Sequence, residues 1–193
     1  MNKYLLKLFL VMVAFFTLTA TTEAAETFTF DPNHTYVLWH VNHFGFSSPS
    51  GKWLANGTVT LDKDHPQMST VNVTIQVADL DTGIPKLDEH LKGELFFDVA
   101  KYPTATFVSD KTLVAENNTA KVHGILTLHG VSKPVTLDVK LNKVGISPVT
   151  NKMTVGFTAS TTLKRSDFGM TSLLPGVGDD VKINIEAEAA KSG

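Results

Sequence analysis

Apolar and polar residues alternate with a period of two along most of the chain. Val71, Val73, Ile75 and Val77 are separated by Asn72, Thr74 and Gln76. Val135, Leu137, Val139 and Leu141 alternate with Thr136, Asp138 and Lys140, and Val181, Ile183 and Ile185 with Lys182, Asn184 and Glu186. Val122, Leu126 and Leu128 share a face that includes Gly124. Segments of this kind are half-buried antiparallel strands, with one face in a core and the other in water. Less regular strand segments cover Tyr36–His43, Asn56–Leu61, Thr104–Ser109 and Met153–Leu163. Turn-type residues separate most of these runs, so the pattern predicts about eight strands.

One stretch changes period. In GIPKLDEHLKG, Ile84, Leu87 and Leu91 recur at helical spacing, Pro85 suits the first helical position and Gly93 suits the stop. A single short amphipathic helix is therefore inserted in an otherwise all-β chain. ELFFDVAKYP follows it as an irregular segment or a second helical turn, with Phe96 and Phe97 side by side. The pattern is consistent with a sandwich and with a closed barrel. A barrel of about eight strands is either filled by its own side chains or holds one ligand. The strand faces use mainly Val, Ile and Leu, while the large aromatics lie at strand ends, in loops and beside the helix. That distribution leaves room along an axis and gathers bulk at one end.

The N-terminus changes the picture next. Lys3 and Lys7 precede a short apolar run from Leu8 to Leu18, and small residues follow, ending at Ala24. This is the pattern of a secretory signal peptide, and the run is shorter than the roughly 20 residues of a membrane span. Residues 1–24 are accordingly expected to be a signal peptide, and residues 25–193 one β domain destined for the periplasm. The 193 residues carry a net charge of −2, which supplies no basic field for nucleic acid. The chain has no cysteine, which removes thiol catalysis, thiolate metal sites and disulfides.

Catalytic and metal motifs are sparse. The seven histidines form no His-x-His strand pair and no HExxH helix. His123 and His129 fall on one strand face, but at ~3.4 Å per residue they lie roughly 20 Å apart. No G-x-S-x-G elbow occurs. Asp79 and Asp81 are expected to open a turn and cap the helix that follows, and Asp179-Asp180 to form a turn before the last strand. No metal, cofactor or catalytic residue is assigned. Arg165 is the only arginine beside sixteen lysines. Its expected role is a surface ion pair with Asp167; the functional alternative is a planar donor at a barrel mouth for an anionic or carbonyl head group. His43 follows Trp39 and Val41 on one strand face, either as a core histidine or as a group bonded to a ligand head.

Several longer segments bear a family likeness. DPNHTYVLWHVNHFGFSSPSGKW, LDEHLKGELFFDVAKYPTATFVSD, HGILTLHGVSKPVTLDVKL, KRSDFGM and GVGDDVKINIEAEA, in this order, resemble the YceI-like polyisoprenoid-binding family. The resemblance covers nearly the whole chain after the signal. It implies an exported, lipocalin-like antiparallel barrel enclosing a long-chain amphiphile, such as a polyisoprenoid, an isoprenoid quinone or a fatty-acid derivative. It implies no catalytic activity. A tail without directional groups needs a dry tube of aliphatic side chains, and burial yields roughly 0.8 kcal/mol per methylene. The expected ligand-binding set is Trp39, Val41 and His43 on one strand, Phe44 and Phe46 after it, and Ile84, Leu87 and Leu91 on the helix. Phe96 and Phe97 follow the helix, Phe157 lies on a later strand, and Arg165, Phe168, Met170 and Leu173 occupy one loop. An enzyme acting on a lipid in the same barrel, and a filled barrel without ligand, are the alternatives. Exposed apolar loops leave open a transient membrane contact and a homodimer.

Overall fold

The computed structural model describes residues 25–192; the expected signal peptide lies outside them. Within this range the strands are β1 (Glu26–Phe30), β2 (Tyr36–His43), β3 (Ser50–Leu54), β4 (Asn56–Leu61), β5 (Thr70–Gln76), β6 (Thr104–Val114), β7 (Thr119–Leu128), β8 (Val131–Ile146), β9 (Met153–Lys164) and β10 (Val177–Lys191). The helix α1 spans Pro85–Lys92, between β5 and β6.

The strands make one antiparallel sheet in the order β1-β4-β5-β6-β7-β8-β9-β10-β2-β3, and β1 also pairs with β10, which closes it. Both β1 and β2 lie along β10: Phe30 faces Ala189 and Tyr36 faces Glu186. Together they are one wall position broken at residues 31–35. At the break the Thr35 hydroxyl donates to the Glu188 carbonyl at 3.0 Å and accepts from the Glu188 N–H at 3.2 Å, so a side chain replaces the missing rung. β3 and β4 likewise share one position, broken at Ala55, whose N–H donates to Thr35 O. With β5 to β10 these form a closed barrel of eight positions. The outer edge of β3 is covered in turn: Lys52 and Asp81 exchange both backbone hydrogen bonds.

The alternating residues fall on the faces that the period requires. Val71, Val73 and Ile75 of β5, Val135 to Leu141 at every second position of β8, and Ile183 and Ile185 of β10 line the interior. Two strands run further than the alternation indicates, because bulges reset it. In β6 the register shifts between Ser109 and Lys111, so Ala105 and Phe107 point inward before the bulge and Thr112 and Val114 after it. In β8 a shift between Leu141 and Lys143 carries the strand on to Ile146.

The acidic pairs behave differently from expectation. Asp179-Asp180 lies within β10, at an irregularity between Val177 and Val181, and forms no separate turn. Asp179 is held there because its carboxylate accepts the Ser166 N–H and hydroxyl at 2.9 and 2.8 Å. At α1 the N-cap is Ile84, without a side-chain cap, and Pro85 occupies the first turn as expected. The polar closure comes from inside the helix: Asp88 accepts both the N–H and the hydroxyl of Thr82, at 2.8 and 2.6 Å. Asp81 instead accepts the Gly83 N–H, and Asp79 ends a short 3-10 turn over Val77–Asp79.

Buried residues form two clusters. Phe28, Phe30, Val59, Val155, Ala187 and Ala189 pack where β1 meets β10, at the end of the barrel away from the helix. Trp39, Trp53, Val77, Leu80 and Ala105 pack at the other end, beneath α1.

Candidate functional site

Between these clusters the barrel is hollow. The larger cavity has a volume of about 420 Å³ and runs along β5 to β10 between Ile75 and Val139. Its lining is mainly aliphatic, with Phe30, Trp53, Phe107 and Phe157 among the wall residues, Thr35 and Thr161 along it, and Ser69, Thr70, Thr112, Asn118 and Thr119 added toward the far end. A second cavity of about 210 Å³ lies under α1. Trp53, Leu128, Leu163 and Ile183 line both. These four residues form a waist between two adjoining chambers.

The waist is held by specific contacts. Trp53 donates from its indole N–H to Val77 O at 3.0 Å. Its ring meets Phe97 edge-on, with centroids 5.1 Å apart, and lies 6.4 Å from Trp39. Trp39 fits because residue 51 is glycine: a Cβ there would stand 2.6 Å from the indole. The Trp39 N–H is buried and has no acceptor.

The expected ligand-binding residues divide by position. Trp39, Val41, His43, Leu87, Leu91, Phe96, Phe97, Arg165, Phe168, Met170 and Leu173 all line the cavity under α1. Phe157 lines the larger one. Phe44, Phe46 and Ile84 line neither. Phe44 and Gly45, both at positive φ, are the two central residues of a tight turn closed by Phe46 N–H to His43 O, and His43 pairs across the loop with Ser47. That turn swings Phe46 out to 91% exposure, and places the Phe44 ring over Gly176 and edge-on to His43. Ile84, at the helix N-cap, faces solvent.

Arg165 forms no ion pair with Asp167 and is not on the surface. It is 6% exposed and donates to three backbone carbonyls: Nε to Gly178 at 2.8 Å, Nη1 to Met170 at 2.7 Å and Nη2 to Val177 at 2.9 Å. Asp167 stands exposed in the same short 3-10 turn, Arg165–Phe168, which turns its side chain away from the guanidinium. Burial pushes the Arg165 pKa down, and the charge of Asp179 partly offsets this. The loop from Arg165 to Val177 is thus tied to the cavity wall through one cation. His129 adds a second tie by donating from Nδ1 to Phe168 O at 3.0 Å, with its ring against Tyr102.

Sequence reasoning did not single out Trp53, Pro49 or His90, all of which line the cavity under α1. His90 falls one residue before Leu91 on the helix, and its ring packs edge-on against Phe96 at 5.0 Å. Trp53 sits two residues past Gly51, on the face that Gly51 leaves open. Among the described residues, no group of three or more His, Asp or Glu is arranged to hold a metal ion, and no helix is long and apolar enough to cross a membrane.

A closed antiparallel barrel around an apolar interior, with one helix over an end, defines a container protein. The chain belongs to the YceI-like family: the model of the YceI-like domain matches residues 28–189. Protein YceI of Salmonella arizonae is 36% identical over 159 residues, which is 82% of each chain. BcnA of Burkholderia cenocepacia superimposes with a TM-score of 0.73 at 27% identity, over 83% of this chain and 99% of that one. The YceI protein of Campylobacter jejuni gives 0.68 at 31% identity, over 79% and 90%. A polyisoprenoid binding domain from Saccharophagus degradans shares the fold, with a TM-score of 0.63 at 14% identity over 86% and 98%.

Proposed function

We propose that the chain is an exported, periplasmic binding or carrier protein, not an enzyme, that holds a long-chain amphiphile inside the barrel. The two adjoining cavities carry this reading. Their walls are almost wholly hydrocarbon and together run from the helix to the opposite end. Such a space binds a tail through burial alone, at roughly 0.8 kcal/mol per methylene before the costs of association and ordering. The polyisoprenoid binding domain of the same fold agrees with this reading as a fold-level analogy. The twelve expected ligand-binding residues that line the two chambers are the proposed contacts: the aromatic and helix residues near the mouth, Phe157 deeper in.

The test is native mass spectrometry of the chain isolated from its host's periplasm, followed by organic extraction of whatever it carries. The expected result is a discrete adduct that extracts as an unaltered isoprenoid or long acyl chain. A bare mass, with no uptake of added prenyl or fatty chains, overturns the proposal.

A further inference from the structure

The polar groups around the cavity under α1 are of one chemical kind. Its ionisable lining residues are His43, His90 and Arg165, and no carboxylate lines it. The larger cavity is lined by no ionisable side chain at all. His43 and His90 are exposed and still line the smaller chamber, so that chamber reaches the surface between the end of β2 and α1. An anionic head group therefore finds opposite charge in only one of the two chambers, and a cationic one in neither.

Arg165 makes that chamber selective. Its three hydrogen bonds go to neutral carbonyls, so dipoles solvate its charge and no bonded carboxylate cancels it. A guanidinium carries five N–H groups, and two remain after these three bonds. The nearby Asp179 carboxylate is engaged by Ser166. The Trp39 indole in the same wall is a further donor without an acceptor. A wall rich in donors and lacking carboxylates favours an anion, gives nothing ionic to a neutral head and repels a cation.

We propose that the cavity under α1 takes an oxyanion head group, a carboxylate or a phosphate. Arg165 supplies charge from the wall, His43 and His90 meet the head at the rim, and the tail passes Trp53 into the larger chamber. This inference rests on the carrier reading and names the ligand's head-group class.

The experiment uses the exported chain stripped of lipid and loaded with the neutral dye N-phenyl-1-naphthylamine. Four compounds with one sixteen-carbon tail compete with the dye at neutral pH: palmitate, hexadecyl phosphate, 1-hexadecanol and hexadecylamine. The anions are expected to displace the dye at concentrations at least about tenfold below the alcohol, with the amine weakest. The stronger of the two anions names the oxyanion. In a His43→Ala/His90→Ala variant with a normal melting transition, the acid-to-alcohol ratio is expected to shrink at least about threefold. Equal potency of acid and alcohol, a preference for the amine, or an unchanged ratio in that variant overturns the head-group inference and leaves the carrier reading intact. Displacement by none of the four overturns both.

Discussion

Arg165 shows how much one side chain can carry here. Replacing it with Met keeps the length and removes every donor, leaving the carbonyls of Met170, Val177 and Gly178 without their partner. A loss of at least about 3 kcal/mol in unfolding free energy is expected by chemical denaturation, since three acceptors are stranded and each costs about 1–3 kcal/mol. Lys should recover little of it, because one ammonium cannot span three acceptors in the plane that a guanidinium offers. Asp179 gives a second residue-level expectation. The Ser166 backbone N–H holds the Asp179 carboxyl below the usual carboxylate range; burial, the next largest effect, opposes it, and the Ser166 hydroxyl and the charges of Lys164 and Arg165 add to the lowering. A carboxyl lowered by folding stabilises the fold above its unfolded pKa, and that stabilisation disappears as pH falls through the lowered value. The melting-temperature gap between wild type and Asp179→Asn should thus be full at neutral pH, begin to close below about pH 4, and vanish under more acid conditions. A gap that persists unchanged into strong acid would remove Asp179 from this role. The sequence marked Arg165 as unusual by composition alone. Its partners could not be read from it, because they are main-chain carbonyls five to thirteen residues away, one in the loop and two at the irregular start of β10.

At the scale of elements, α1 was legible because its punctuation is local: Pro85 opens it and Gly93 follows its last residue. Its polar closure was not, since Asp88 reaches back to Thr82 from within the helix and the more obvious Asp79 and Asp81 serve other turns. The bulge in β6 was hidden for a related reason. An extra residue inverts the alternation at Ser109–Lys111, so the strand segment legible in the sequence ends at Ser109 while the strand runs on to Val114. The turn after β2 misled in the opposite direction. Phe44 and Phe46 have the composition of a pocket wall, but Phe44 and Gly45 at positive φ send them to its outer rim. The helix is also where ligand binding can be tested with least risk to the barrel. Leu87 and Leu91 both line the cavity, while α1 buries no residue fully. Leu87→Asp and Leu91→Asp should each abolish lipid retention while thermal unfolding stays cooperative. Full retention in a folded variant would take the helix out of the binding wall.

For the whole molecule, the alternation specified antiparallel strands but could not choose between sandwich and barrel. Closure depends on β1 pairing with β10, which joins Phe28 to Lys191 across almost the entire described chain, and no local period reports such a contact. The hollow follows from the same geometry. Eight wall positions lined by Val, Ile and Leu leave the axis unfilled, and Ala159 and Ala187 widen it further. Ala159→Phe should fill part of the larger chamber. Tails of about sixteen carbons should then bind more weakly than in wild type while shorter ones are less affected, with an overpacking cost of about 1–3 kcal/mol in stability. Equal loss for all lengths would mean that the tail does not reach Ala159.

The waist at Trp53 has a consequence in time. The indole is fixed by Val77 O and by Phe97 where the two chambers adjoin, so a tail that reaches from the helix side into the larger chamber has to run past this ring and its neighbours. Loading and release should then be slow compared with free diffusion, with one fast phase for the outer chamber and one slow phase for passage inward. Brief incubations would fill only the outer chamber and understate the affinity. Trp53→Ala should merge the two phases in stopped-flow measurements. Cargo held behind such a ring would survive many encounters with competing surfaces before it is given up.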